Sequence, residues 1–218
     1  MLEERITNLK REIVEYTALG EGMIEKSIKG LIKKNKELLL SVIDEDEPKA
    51  NDFEIEIDEL CVTLIAQYEP RAKDLRTILM ILKINNDLER IGDLAVNIAE
   101  SAMFLIEKPQ VEPLVDIPMM VEVTEKMLKN SINAFINEDA ELAKSVCEKD
   151  SVIDGLRNQI LRKLITYMSA DSSTVERSIH LMRISHSLER IADLSTNICE
   201  DVIFMVEGKI IKHHKDEN

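Results

Sequence analysis

The 218-residue chain has no tryptophan, three tyrosines, four phenylalanines, six glycines, five prolines and three cysteines, and each shortage excludes something. Aromatic residues make up 3% of the chain and its net charge is −14, so it lacks both the stacking platforms and the phosphate-neutralising surface of a nucleic-acid binder. Nucleic acid is therefore not an expected partner. Cys61, Cys147 and Cys199 are odd in number, far apart and set among Leu, Val and Ile. They are read as small core residues in a reducing compartment, not as a disulfide framework. Apolar residues nowhere approach a run of about eighteen, and the opening MLEERITNLKR has no apolar signal region. Neither a spanning helix nor export is expected; the chain is read as cytoplasmic, reaching the inner face of the membrane only through protein partners.

Catalytic signatures are missing too. There is no glycine-rich phosphate loop, no GxSxG elbow and no evident histidine partner for Cys147. The expectation is that the protein is not an enzyme.

What is abundant is Leu, Ile, Glu, Lys and Met, the composition of an all-α protein. The prolines punctuate it, because a ring without an N–H suits a first helical turn and breaks an interior. They suggest a long helix from about Glu3 to Ile43, a second opening after DEDE with Pro48 in its first turn, and a third from Pro70 to Lys108. A linker, PQVEPLVD, follows. The rear half repeats the plan: Pro118 into the CEKD stretch, Asp150 to Met168, and a last helix after SADSS, where Ser173 and Glu176 have capping-box spacing. At 1.5 Å per residue the longest of these helices would reach ~55 Å.

Two thirteen-residue segments make the repeat explicit. LERIGDLAVNIAE (88–100) and LERIADLSTNICE (188–200) share nine of thirteen residues, one hundred positions apart. Ile84, Leu88, Ile91, Ala95, Ile98, Ala102 and Leu105 form a bundle seam, stepping alternately by four and three, and Ile184, Leu188, Ile191, Ser195, Ile198, Val202 and Met205 repeat it. The predicted architecture is two tandem three-helix bundles related by internal duplication: residues 1–108, a linker at 109–117, residues 118–208, and a polar tail at 209–218.

Off the seam, Glu89, Asp93 and Asn97 project on successive turns, as do Glu189, Asp193 and Asn197. Two readings stand side by side. The stripe can be a solvated face with Arg90 or Arg190 neutralising its neighbours, or a cation site, since acids four residues apart repel by a few tenths of a kcal/mol and occur in both copies. Carboxylate and amide oxygens suit a hard cation such as Mg²⁺, Mn²⁺ or iron if a second helix adds ligands. Asp150 and Asp154 are the rear candidates, although an acid in a first turn is also favoured by the helix dipole. Glu47 and Asn51 are the front candidates, a weaker pair because an amide replaces one carboxylate.

The other conspicuous residues receive plainer readings. His213 and His214 lie in the polar tail, and His180 and His186 are expected to hydrogen-bond at or near the surface. The ten methionines serve as core filler. Gly20, Gly22 and Gly30 imply close helix approach or a kink, since each costs about 1 kcal/mol in a helix. A di-iron metalloenzyme is disfavoured because no Glu-x-x-His occurs; a metal-free dimerising scaffold remains open.

The stretches DLERIGDLAVNIAE from Asp87, SLERIADLSTNICEDVIFMVEGKI from Ser187, QYEPRAKDLR from Gln67 and LITYM from Leu164 resemble the PhoU family, cytoplasmic accessory proteins of the bacterial phosphate-specific ABC transporter. The resemblance implies the six-helix plan, a homodimer, and negative regulation of phosphate uptake and phosphate-starvation signalling. Its implied partners are the transporter's ATPase subunit and a phosphate-sensing histidine kinase. It also implies multinuclear iron or zinc, held by a motif of Glu or Asp followed four residues later by Asp. That motif maps onto Glu89 with Asp93, Glu189 with Asp193, and Asp150 with Asp154; Glu47 with Asn51 departs from it.

Overall fold

The computed structural model describes residues 1–111 and 116–207. His213 and His214 lie outside these residues. Among those described there is no strand: the chain runs through α1 (Leu2–Lys33), α2 (Lys36–Ser41), a π-helical turn (Val42–Asp46), α3 (Glu47–Tyr68), α4 (Ala72–Ile106), α5 (Asp116–Asn137), α6 (Ala140–Cys147), α7 (Asp150–Ala170), a short 3₁₀ turn (Ser172–Thr174) and α8 (Val175–Glu207). The α2–π–α3 run is continuous, and α6 leads almost directly into α7. Each half is thus three long helical runs.

The first boundary differs from expectation. The helix expected to continue to Ile43 ends at Lys33, ten residues earlier by number, with no Gly or Pro to announce it. Lys34 takes a left-handed conformation (φ 50°) and Asn35 caps the next helix, its Oδ1 accepting the Leu38 N–H at 3.1 Å. The Asn35 N–H closes the turn onto Gly30 O at 2.9 Å. Gly30 is needed there, because a Cβ on it would lie 2.5 Å from Leu39 Cδ2. Helix five breaks in the same way: Glu138 has φ 53°, the Asp139 N–H reaches Ala134 O at 2.9 Å, and Asp139 caps Leu142. The duplication therefore extends to its turns.

Pro48 stands in the first turn of α3, as its position after DEDE predicts, although no break in the chain precedes that helix. It lies inside the second run, and the chain widens into a π turn just ahead of it, with the Glu47 N–H bonded to Val42 O, five residues back. Proline has no N–H for the carbonyl four residues earlier, and the wider turn accommodates that loss. Asp46, buried in the turn, is held by Lys26 Nζ at 2.6 Å. At the start of α8 the cap is Asp171, whose carboxylate accepts both the N–H and the hydroxyl of Ser173. Ser173 and Glu176 do not form the box their spacing suggested.

Both seams are buried as read except at their last positions, where Leu105 and Met205 are partly buried: Ile84, Ile91, Ala95, Ile98 and Ala102 are at 0% exposure, as are Ile184, Leu188, Ile191 and Val202. Shortening any of these isoleucines to Ala would cost about 2–5 kcal/mol. The halves meet along α4 and α8, which run antiparallel. Lys83 reaches Asp201 at 3.0 Å towards one end of the pair, and Phe104 stacks on His180 towards the other. Since α4 and α8 are the duplicated helices, the junction is a pseudo-twofold contact of equivalent elements.

Candidate functional site

In the front half, α3 and α4 are antiparallel, and one side chain fixes their register. Asn85 Nδ2 donates to the Glu54 carbonyl at 2.8 Å and to Asp58 Oδ1 at 2.9 Å. Further along, Gly92 faces Ala50, with 3.7 Å between a Cβ placed on the glycine and that of the alanine. This register sets Glu54 level with Glu89 and Asn51 level with Asp93. Glu47 lies about a turn beyond Asn51, towards Asn97.

The electrostatics identify the cluster. Burial raises the Glu89 pKa first, and then the charges of Asp93 and Glu54, with Arg90 opposing. Tyr16 of α1 enters from below. Its ring is 1% exposed and stacked on Phe53 (centroids 5.3 Å apart, planes at 9°). Burial, then the charges of Glu54, Glu89 and Asp93, push its phenol far above the usual range. Its hydroxyl is buried and unpartnered. Leaving such a group unsatisfied costs about 1–3 kcal/mol.

In the rear half, Asp193 is pushed up to about 6, by burial first and then by Glu189, Asp150 and Asp154, against the pull of Arg190. Arg190 Nη1 lies 3.4 Å from Asp193 Oδ2, and His186 Nδ1 lies 2.9 Å from Glu189 Oε2. His186 thus hydrogen-bonds at the surface, with an acid of its own helix as the partner. Asp150 and Asp154, at the start of α7, line an open depression of about 420 Å³ with Cys147, Glu148 and Ser151.

Both acid pairs, 89/93 and 189/193, sit midway between the Lys83–Asp201 and Phe104–His180 contacts. Glu89, Glu189 and Asp193 are half-buried against the preceding long helix, which also presents acids, whereas Asp93 is exposed. Among the described residues no group of three or more His, Cys, Asp or Glu side chains is placed so as to hold a metal ion. The donor chemistry nevertheless fits a hard cation. The oxygens are carboxylate oxygens, they repel one another, and in the front half an orphaned phenol stands among them.

Sequence reasoning missed Glu54, Asp58 and Tyr16. The first two carried a legible signal: Glu54-x-x-x-Asp58 repeats the acid spacing of Asp150 and Asp154, and Glu54 precedes Asp154 by one hundred positions. Pro48 drew attention to Glu47 instead.

Residues 13–102 and 117–202 each match the PhoU domain. The chain belongs to the PhoU family. It is 40% identical over 212 residues to a phosphate-specific transport system accessory protein PhoU homolog of Aquifex aeolicus, covering 97% of this chain and 96% of that one. A homolog with the same description from Zymomonas mobilis is 36% identical, over 95% of this chain and 87% of its own length. The crystal structure of PhoU from Pseudomonas aeruginosa superposes with a TM-score of 0.91 at 33% identity, covering 96% of this chain and all of that one. A phosphate transport system regulatory protein PhoU from Streptococcus pneumoniae gives 0.89 at 25% identity, covering 97% of this chain and all of its own. The two PhoU matches contain the two halves of the duplication, and each includes one of the repeated acid pairs.

Proposed function

We propose that this PhoU-family chain is an accessory regulator of phosphate transport, restraining phosphate uptake and phosphate-starvation signalling as a metal-binding helical adaptor. Its partners in this reading are the ATPase subunit of the phosphate ABC transporter and the cytoplasmic region of a phosphate-sensing histidine kinase. It works in the cytoplasm, as a homodimer, at the inner face of the membrane. No described helix is long and apolar enough to cross a membrane, so contact with the transporter falls to its surface.

The observation that carries the reading is the repetition of one electrostatic arrangement on both halves: Glu89 and Asp93 beside Glu54, and Glu189 and Asp193 beside Asp150 and Asp154. Carboxylates held together without equal positive charge raise each other's pKa and favour whatever neutralises them. These residues, with Tyr16 and Asp58 flanking the front cluster, would hold iron, zinc or another divalent or trivalent ion. Glu47 and Asn51 lie on the same face of α3, and Asn51 is placed to add an amide oxygen beside Asp93. A bound ion supplies positive charge that removes the repulsion and stiffens the paired helices. The chain's own part is to hold the acids level across α3–α4 and α7–α8, through register bonds such as those of Asn85.

A metal-free scaffold is the competing reading. It is favoured in the rear half by His186 on Glu189 and Arg190 on Asp193, which already supply partial neutralisation. Pulldown with the ATPase subunit and with the kinase's cytoplasmic region, in metal and in chelator, separates the two. Metal-enhanced capture supports the metal-bearing adaptor, and equal capture in chelator supports the scaffold. Capture of neither partner under either condition ends the adaptor reading.

A further inference from the structure

The two halves keep a fixed interval up to one point. Asn35 and Asp139, which cap equivalent helices, are 104 positions apart, and so are the buried pairs Leu39 with Ala143 and Val42 with Val146. Past the π turn the interval falls to 103: Ala50 is buried as Ile153 is, Ile57 as Ile160, and Cys61 as Leu164. The front half therefore carries one residue more between Val42 and Ala50. The π turn at Val42–Asp46 absorbs it, since an i→i+5 bond encloses one residue more than the α-helical bond. At the same interval Glu47 corresponds to Asp150 and Asn51 to Asp154. One residue advances an α-helix by about 100°. The place where the extra residue is absorbed thus decides which way residues 47–51 face.

Among the described residues Asp46 is the only charged one that is buried, and it lies in this turn. Its Oδ2 accepts from Lys26 Nζ of α1 at 2.6 Å, and Lys49 Nζ lies 3.6 Å from Oδ1. The counterpart of Lys26 at the interval of 104 is Asn130, so the lysine occurs in the half that has the extra residue and not in the other. A buried carboxylate stripped of its partner is strongly unfavourable. Pro48 adds a covalent restraint, because it has no N–H to give if the wide turn moved past it. We propose that Lys26 and Asp46 are the positioning pair that locks the extra residue into the π turn and so sets the rotational phase of the start of α3. If the lock opens, the wide turn moves into α3 and each residue it passes falls into the place of its successor. Asp46 then leaves the interior for the place of Glu47, and Ala50 takes that of Asn51. Lys49 replaces Ala50 opposite Gly92, and the Asn51 amide is lost from beside Asp93. This consequence for the acidic face rests on the metal-bearing reading; the lock itself does not.

The test reads the phase of α3 by cross-linking in the full chain, in chelator. A Cβ at Gly92 lies 3.7 Å from that of Ala50, within the disulfide range of about 3.5–4.5 Å. A50C/G92C should therefore bridge on oxidation with diamide, the joined peptides being identified by mass, and K49C/G92C should not. Lys26→Met should shift the bridge from 50–92 to 49–92, at a helix content equal by circular dichroism. If Lys26→Met lowers helix content, Lys26→Gln, which keeps a donor and removes the charge, carries the same test. Adding Asp46→Asn, which removes the buried charge, should return the bridge to 50–92, a rescue that mere loss of packing at Lys26 would not show. No 50–92 bridge in the parent, bridging unchanged by loss of the Lys26 charge, or a shift that Asp46→Asn does not reverse would each overturn the proposal. Metal retention is measured separately in an E189A/D193A background. There Lys26→Met should lower the iron or zinc retained, and retention unchanged beside a shifted bridge would overturn the consequence for the acidic face. A parent that retains none would contradict the metal-bearing reading and leave the lock to be decided by the cross-links.

Discussion

Phe104 and His180 stack across the junction of the two halves, their ring centroids 4.1 Å apart and their planes 15° from parallel. Lys108 Nζ lies 5.2 Å from the same Phe104 ring, and His180 Nδ1 is buried without a hydrogen-bond partner. Burial, then Arg183, lower the His180 pKa, while Glu176 opposes them. The neutral ring is therefore the form that the junction accepts. A base whose folded pKa is depressed contributes stability that is fully present above its unfolded pKa of about 6.5 and is lost as pH falls through the folded value. His180→Phe keeps the stack and removes the titration. Urea unfolding at about pH 7.5 and about pH 5.5 should show the wild type losing stability relative to the variant at the lower pH. An unchanged difference at the two pH values would show that His180 does not sense protonation here.

Gly30 and Gly22 lie in the same helix and should respond oppositely to alanine. At Gly30 the added methyl would meet Leu39 Cδ2 at 2.5 Å, where the chain turns back. Gly30→Ala should cost about 1–3 kcal/mol, the usual penalty of overpacking. Nothing lies within 4 Å of a Cβ at Gly22, so Gly22→Ala should gain up to about 1 kcal/mol from helix propensity. Thermal unfolding of the two variants measures both signs.

Tyr16 buries a hydroxyl with no partner. In chelated protein, Tyr16→Phe should therefore raise stability, by about 1 kcal/mol, because it removes an unsatisfied polar atom and keeps the stack on Phe53. In metal-treated protein the same variant should show a smaller metal-dependent rise in Tm than the wild type. Destabilisation in chelator would mean that the hydroxyl has a partner, such as an ordered water.

The seams, the duplication and one acid pair in each half were legible because they rest on periodicity, which survives without knowledge of neighbours. Ile84 to Leu105 and Ile184 to Met205 fell on the core face for that reason. The break at Lys34 was not legible: a lysine carries no left-handed preference, and its conformation is enforced by Gly30 behind it and Asn35 ahead. Pro48 marked the first turn of α3 correctly, but the π turn that joins this helix to α2 left no signal in the sequence. Spacing around Pro48 pointed to Glu47 and Asn51, and only the α3–α4 register, set by Asn85, shows that Glu54 also stands beside Glu89. Tyr16 comes from a third helix, and no local spacing could have revealed it.

Asp193 sits in the acidic face at a cost in stability. Its carboxyl is pushed up to about 6 by burial and by Glu189 ahead of the α7 acids. As an acid with a raised folded pKa, it favours folding below its unfolded value, and that contribution is lost as pH rises through about 6. At neutral pH in chelator, Asp193→Asn should stabilise the protein by a few tenths of a kcal/mol, the scale of one relieved like-charge pair. With metal present it should reduce the metal-dependent gain in Tm. Loss of stability in chelator would instead show that its ion pair with Arg190 outweighs the repulsion.

The central claim is that the paired carboxylates of the two halves hold cations, and elemental analysis tests it most directly. Wild-type protein and an E89A/D93A/E189A/D193A variant are purified in parallel, incubated with iron or zinc, desalted, and assayed for metal per chain alongside circular dichroism to confirm equal helix content. The wild type should retain metal that the variant does not. Equal metal content in two equally folded proteins would contradict the account and return the acidic stripes to solvated helix surface.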